Sequence, residues 1–163
     1  MLGTLHVSLR PAEERDTAFL SEVYRSTRLE EMQASGWSEK EIVDFLEFQF
    51  QAQHKFYHEQ WPSTDFDLIL VNGVPAGRLY VDRRDDEIRV VDIALLPDYR
   101  GKGIGGDLLR EILAEAHGKD QPVRIHVEHN NPAMHLYLRL GFKKVDTNGV
   151  YHLMECPPPG NAS

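Results

Sequence analysis

One stretch limits what this chain can become. Ile88 to Leu96 is almost wholly apolar, which is how a strand covered on both faces reads. It runs into a turn carrying Gly101, Gly103, Gly105 and Gly106. Ile104, Leu108, Leu109, Ile112 and Leu113 then repeat at helical spacing as far as His117, with Gly118 to end the helix. A central strand therefore passes through a glycine turn into an amphipathic helix, and the remaining elements have to be arranged around that unit.

Before it, Leu5 to Leu9 alternates as a strand, and Arg10-Pro11 stops it. Asp16 is placed to cap a helix carrying Phe19, Leu20 and Val23, which breaks over residues 30–37. Ser38 with Glu41 reads as a capping box for a helix to about Gln60, with Ile42, Phe45, Leu46, Gln49 and Phe56 along one side. Phe66 to Val71 and Ala76 to Asp82 are strands joined by Asn72-Gly73, a strong hairpin signal. After the glycine turn, Val123 to Val127 alternates. Asn131-Pro132 opens a short helix closed by Gly141, and two strands flank Asn148-Gly149. The order β-α-α-β-β-β-α-β-α-β-β predicts an α/β (α+β) chain with a mixed, mostly antiparallel twisted sheet of about seven strands flanked by about four helices. No linker divides it. Residues 1–156 are expected to form a single domain and 157–163 a disordered tail.

At 163 residues the chain can bury a real core. A net charge of −8 argues against nucleic acid as a partner. It can favour a cationic amine or simply keep the protein soluble. No apolar run approaches the roughly 20 residues of a membrane span. Met1 to Arg10 lacks the pattern of a secretory leader. The single cysteine, Cys156, excludes an internal disulfide and suggests a reducing compartment. The eight histidines are scattered without metal-ligand spacing. A cytoplasmic protein without metal is expected.

The glycine turn has chemistry of its own. Free N–H groups and the dipole at a helix head favour phosphate, and glycines let the backbone approach it. Arg100 and Lys102 add positive charge. Gly101, Gly103 and Gly106 also fit a dinucleotide fingerprint, with Glu128 near the place of a ribose-binding acid. A sheet of hairpins argues against that fold. No G-K-[ST] ends the loop, so a Walker A reading fails. A glycine-rich helix start that binds nothing is the plain alternative.

Arg100-Gly-Lys-Gly-Ile-Gly105 resembles the R/Q-x-x-G-x-G/A motif of the GNAT (GCN5-related) N-acetyltransferase superfamily. Asn130-Asn-Pro-Ala-Met-His-Leu-Tyr-Leu-Arg-Leu-Gly-Phe142 resembles its second signature, and the element order agrees. The resemblance implies the acyl-CoA N-acyltransferase fold with splayed central strands, and acetyl-CoA as co-substrate. It places the pantetheine arm along Ile93, Ala94 and Leu95, and the pyrophosphate on the amides of Arg100, Gly101, Lys102, Gly103, Ile104 and Gly105. Asn130, or Asn131 if the alignment shifts by one, would touch the arm. The acceptor would be a primary amine of a small molecule or peptide, acetylated by direct transfer. A homodimer is common in the family.

Acyl transfer needs a neutral amine, a donor to the thioester oxygen and an acid for the departing thiolate. Tyr137 matches the family's tyrosine acid near the sulfur, and the N–H of Leu95 is the expected oxygen donor. For the base, Asp92 ends an apolar strand where burial would raise its pKa, and His126 lies in the neighbouring strand. Glu128 and Tyr80 are weaker candidates, and many such enzymes use no dedicated base. Trp37, Phe48, Phe50, Tyr57 and Trp61, beside Glu30, Glu31 and Glu47, either line an acceptor groove or are core aromatics and solvated acids. A non-catalytic acyl-CoA-binding regulatory domain on the same fold is the alternative function.

Overall fold

The computed structural model describes residues 5–129 and 131–160. Its seven strands form one mixed sheet with four α-helices: β1 Val7–Pro11, α1 Thr17–Gln33, α2 Glu39–Gln60, β2 Asp65–Val71, β3 Val74–Arg83, β4 Ile88–Leu95, α3 Ile104–Gly118, β5 Val123–Glu128, α4 Met134–Arg139, β6 Lys143–Asn148 and β7 Tyr151–Cys156. The strand order is β1-β2-β3-β4-β5-β7-β6. β1 with β2, β5 with β7 and β6 with β7 pair antiparallel, whereas β4 and β5 pair parallel. The chain divides into two compact units, one of residues up to Tyr80 with Ile93–Lys102, the other of Val81–Asp92 with Gly103 onward. Strands β3 and β4 contribute to both.

In the first unit, Leu20 and Tyr24 of α1 pack with Ile42, Leu46 and Phe50 of α2 and Leu68 of β2. The fully buried α2 ridge is thus the i, i+4, i+8 series 42-46-50, with the expected Phe45 half-buried against it. Phe56, expected on that ridge, is 52% exposed. The Ser38–Glu41 capping box is present. Asn72 and Gly73 both have positive φ, 52° and 81°, as the β2–β3 hairpin needs. The expected Asp16 cap is not made. Its carboxylate instead accepts two hydrogen bonds from Arg10, at 2.8 and 2.9 Å, and one from the Glu13 N–H. Those charge-assisted bonds hold its pKa at about 2. Helix α1 also runs to Gln33, through the start of the expected break.

In the second unit, Ile104, Leu108, Leu109, Ile112 and Leu113 of α3 are buried, as are Ile88 and Val90 of β4 and Val123, Ile125 and Val127 of β5. Glu87 is buried beneath Arg89 and Arg124, at 2.9 and 3.1 Å. β6 is exposed along its whole length, as suits the edge of the sheet. Of the expected tail, Pro158 is buried, and residues 161–163 lie outside the described residues. No helix among the described residues is long and apolar enough to cross a membrane. No three of their His, Cys, Asp or Glu side chains are placed to hold a metal ion.

Candidate active site

Strand β4 changes character along its length. Ile88 and Val90 are almost fully buried and pair with Val123 and Ile125, where the β4–β5 ladder stops. β5 continues to pair with β7 through Val127 and Glu128. Ile93, Ala94 and Leu95, expected to carry an acyl arm, are only half-buried. The apolar run therefore opens towards its C-terminal end. The N–H of Leu96 donates to Ala76 at 2.8 Å, so β3 holds that end. Arg100 holds it too: its Nε donates to the Leu95 carbonyl at 2.9 Å, and its other arm donates to Ser26 of α1.

That arrangement alters the role expected of Arg100. Its guanidinium braces the strand end, and its N–H donates to the Pro97 carbonyl at 3.2 Å. An amide cradle would therefore begin at Gly101, not at Arg100. Gly101 and Gly103 have φ of 73° and 84°, which delays the first helical residue to Ile104. The first bond of α3 is from the Asp107 N–H to the Gly103 carbonyl, at 3.0 Å. Ile104, Gly105 and Gly106 therefore point their N–H groups out of the helix head without intrahelical partners. No side chain caps that end. A Cβ at Gly101, Gly103 or Gly105 would meet no atom within 4 Å. At Gly105 neither φ nor packing calls for glycine. Its place in a first helical turn, where alanine is favoured, fits an anion approaching the backbone from outside. Lys102 beside it is exposed.

Tyr137 of α4 is 3% exposed and lies edge-on to Phe142, with ring centroids 5.9 Å apart. Burial, with the Asp92 carboxylate nearby, pushes its pKa up to about 12, so it keeps its proton at any ordinary pH. The register of Val90 with Ile125 puts Asp92 on the Val90 face. His126 and Glu128 project from the opposite face, with Arg89 and Arg124. The structure thus brings Asp92 together with Tyr137 but not His126, which is exposed, 3.3 Å from Arg89. Desolvation and the Arg89 guanidinium hold His126 below its ordinary pKa.

Other expectations resolve similarly. Asn130 lies outside the described residues. The Asn131 carboxamide oxygen accepts the Ala133 N–H at 2.8 Å and so shapes the start of α4. Tyr80 is buried, edge-on to both Tyr57 and Phe66, which makes it a core aromatic. Phe50 is fully buried against Tyr24, while Phe48 is 72% exposed. Tyr57 and Trp61 stack on one another, both half-buried. Glu30 and Glu31 are exposed, and Glu47 accepts from Ser21 and Gln51. Two positions were missed from sequence. Arg78 is buried over the Tyr24 and Tyr80 rings, donating to Gln53 at 3.0 Å. Gly77 was also passed over, although an isolated glycine within a strand signals close backbone approach.

The profile of the acetyltransferase (GNAT) family matches residues 27–142, more than half of the chain and all of the elements just described from α2 to α4. The chain belongs to the GNAT family. It is 35% identical over 68 residues to the ribosomal protein bS18-alanine N-acetyltransferase of Haemophilus influenzae, a match covering 41% of this chain and 47% of the relative. The chain thus spans about half the length of that curated relative. The GNAT fold is shared with a PaiA N-acetyltransferase from Thermoplasma acidophilum solved in complex with coenzyme A. That likeness has a TM-score of 0.69 at 23% identity and covers 93% of this chain and 99% of the other. The ribosomal-protein-S18-alanine N-acetyltransferase of Escherichia coli gives a TM-score of 0.63 at 22% identity, over 93% and 94%.

Proposed function

We propose that this GNAT chain moves an acetyl group from acetyl-CoA directly to a primary amine. The observation that carries the reading is the head of α3, where outward N–H groups meet glycines that leave open space. Acetyl-CoA supplies the activated thioester. The amides of Gly101 to Gly106 would hold its diphosphate, and the half-buried end of β4 offers backbone groups to its arm. Leu95 N–H would donate to the thioester oxygen as charge builds there. Tyr137, still protonated, would donate to the leaving sulfur. Asp92, on the Tyr137 face, is the base we favour for the amine proton. Relatives named for acetylating an alanine of a ribosomal protein support the amine of a peptide end as acceptor, alongside small-molecule amines. A soluble, cytoplasmic setting fits this chemistry.

Tyr137→Phe tests the reading against an acyl-CoA binder without turnover. With an acceptor panel of amines and peptides, kcat should fall by roughly 10²-fold or more while the Kd for CoA holds. The sign of the pH dependence follows from the raised pKa. Tyr137 stays a donor below about 12, so it adds no alkaline limb to kcat within an ordinary assay range. Unaltered kcat in the variant refutes the acid role, and affinity without turnover on any acceptor refutes the enzyme.

A further inference from the structure

Gly77 lies in the middle of β3 and has an ordinary backbone φ, so its conformation does not require glycine. Space does. A Cβ there would sit 2.2 Å from the Ala94 carbonyl oxygen and 3.0 Å from both Cα and Cδ2 of Leu95. The oxygen is the nearest atom, so the Ala94 carbonyl is turned onto β3 over Gly77. The Ala94–Leu95 peptide thus lies closer to β3 than any side chain at position 77 would allow. One residue later, Leu96 N–H donates to Ala76 at 2.8 Å. A peptide is planar and trans, so its N–H points opposite to its C=O. With the Ala94 carbonyl turned onto Gly77, the Leu95 N–H is turned away from it.

We infer that Gly77 is a positioning residue: by leaving room for the Ala94 carbonyl, it sets the peptide that points the Leu95 N–H away from β3 as a donor for the reacting acyl oxygen. The inference rests on the acetyl-transfer reading above. Arg100 completes the clamp from the other side, through its bond to the Leu95 carbonyl. Any side chain at position 77 has to push back the Ala94 oxygen, and the rigid peptide carries the Leu95 N–H with it.

The test is Gly77→Ala, with Gly118→Ala as control, since a Cβ at Gly118 meets nothing. Gly77→Ala should lower kcat by about 10²-fold, as loss of one oxyanion donor does. Its Kd for CoA, anchored at the glycine turn, should stay within about threefold of wild type. Adding Leu95→Ala should not restore the rate, because the obstruction is a backbone oxygen. Wild-type kcat in Gly77→Ala, a parallel loss of affinity and rate, or rescue by Leu95→Ala would each overturn the inference. A second measurement needs no variant. Amide exchange in the free wild-type protein should find Leu95 N–H fast beside the ladder amides of β3, and slowed when acetyl-CoA is added. A Leu95 amide as protected as its β3 neighbours in the free chain overturns the inference even if Gly77→Ala fails to fold. Wild-type protein that does not bind acetyl-CoA would sink the functional reading itself, whatever the free-chain exchange shows about the peptide.

Discussion

Helices α2 and α3 begin in opposite ways. At the head of α2 the Ser38 hydroxyl accepts the Glu41 N–H at 3.2 Å, and the Glu41 carboxylate accepts the Ser38 N–H at 3.1 Å. The helix satisfies its own orphan donors and sets an acid against its positive end. At the head of α3 a left-handed glycine stands in the capping position, and no side chain accepts from the amides. Its only first-turn acid, Asp107, is drawn to Arg110 at 3.0 Å. A self-capped end serves the fold. An end that declines every local acceptor is suited to an acceptor from outside, and glycine is the residue that both leaves room and adopts the required φ.

The largest effect that tests this contrast is at Gly103. A Cβ there meets no atom within 4 Å, but φ of 84° is strained for a β-branched residue, at about 1–3 kcal/mol. The loop would relax away from the left-handed turn and scatter the amides behind it. CoA affinity by calorimetry should fall by about 100-fold or more, while circular dichroism still reports a folded chain. Affinity equal to wild type would break the contrast at its centre.

Gly105→Ala sharpens it further, because the two readouts move in opposite directions. Alanine in a first helical turn should stabilise the free protein by about 0.5–1 kcal/mol. The same methyl enters the space an anion would use, so CoA affinity should drop, by about tenfold. A melting curve and a titration on one sample decide it. Higher stability with unchanged affinity would mean that nothing approaches residue 105 closely.

What the sequence made legible was local. Asn72-Gly73 and the Ser38–Glu41 box each act through residues a few positions apart, and both are in the structure. The buried stripe of α3 is legible for the same reason, since one helical period writes it. The misses depend on partners far along the chain. Asp16 is a good cap by residue type, but Arg10 outbids the helix head with two charged bonds. Phe50 falls outside a ridge that runs through Gln49. Packing against Leu20, Tyr24 and Leu68 selects 42-46-50 instead. Alternation could place Asp92 and His126 on faces of their own strands, but which faces coincide follows from the Val90–Ile125 register, which no single segment encodes. Gly77 shows the same limit. Its glycine is visible in the sequence, while the carbonyl it makes room for belongs to a strand more than a dozen residues on.

Ser38→Ala probes the contrast from the side of α2, with the smallest expected effect. Removing the cap leaves the Glu41 N–H without its acceptor and should cost about 1 kcal/mol of stability. In a chain of this size that lowers Tm by about 2–4 °C. CoA affinity should not change, because this end serves only the fold. The capping box also carries a pH signature. Hydrogen bonds from Ser38 hold the Glu41 pKa below its usual 4.5, so the folded state binds that proton less readily than the unfolded chain does. Its contribution is therefore complete above about pH 4.5 and lost on acidification through the lowered folded value. Alanine keeps the residue 38 N–H, the larger cause of the lowered pKa, and loses only the hydroxyl's share, so wild type should lose slightly more stability than Ser38→Ala between neutral pH and pH of about 3. Curves that stay equally far apart at every pH would mean the Ser38 hydroxyl contributes nothing to the lowered Glu41 pKa. A fall in CoA affinity in Ser38→Ala would show that the two helix heads are not the separate devices their opposite caps imply.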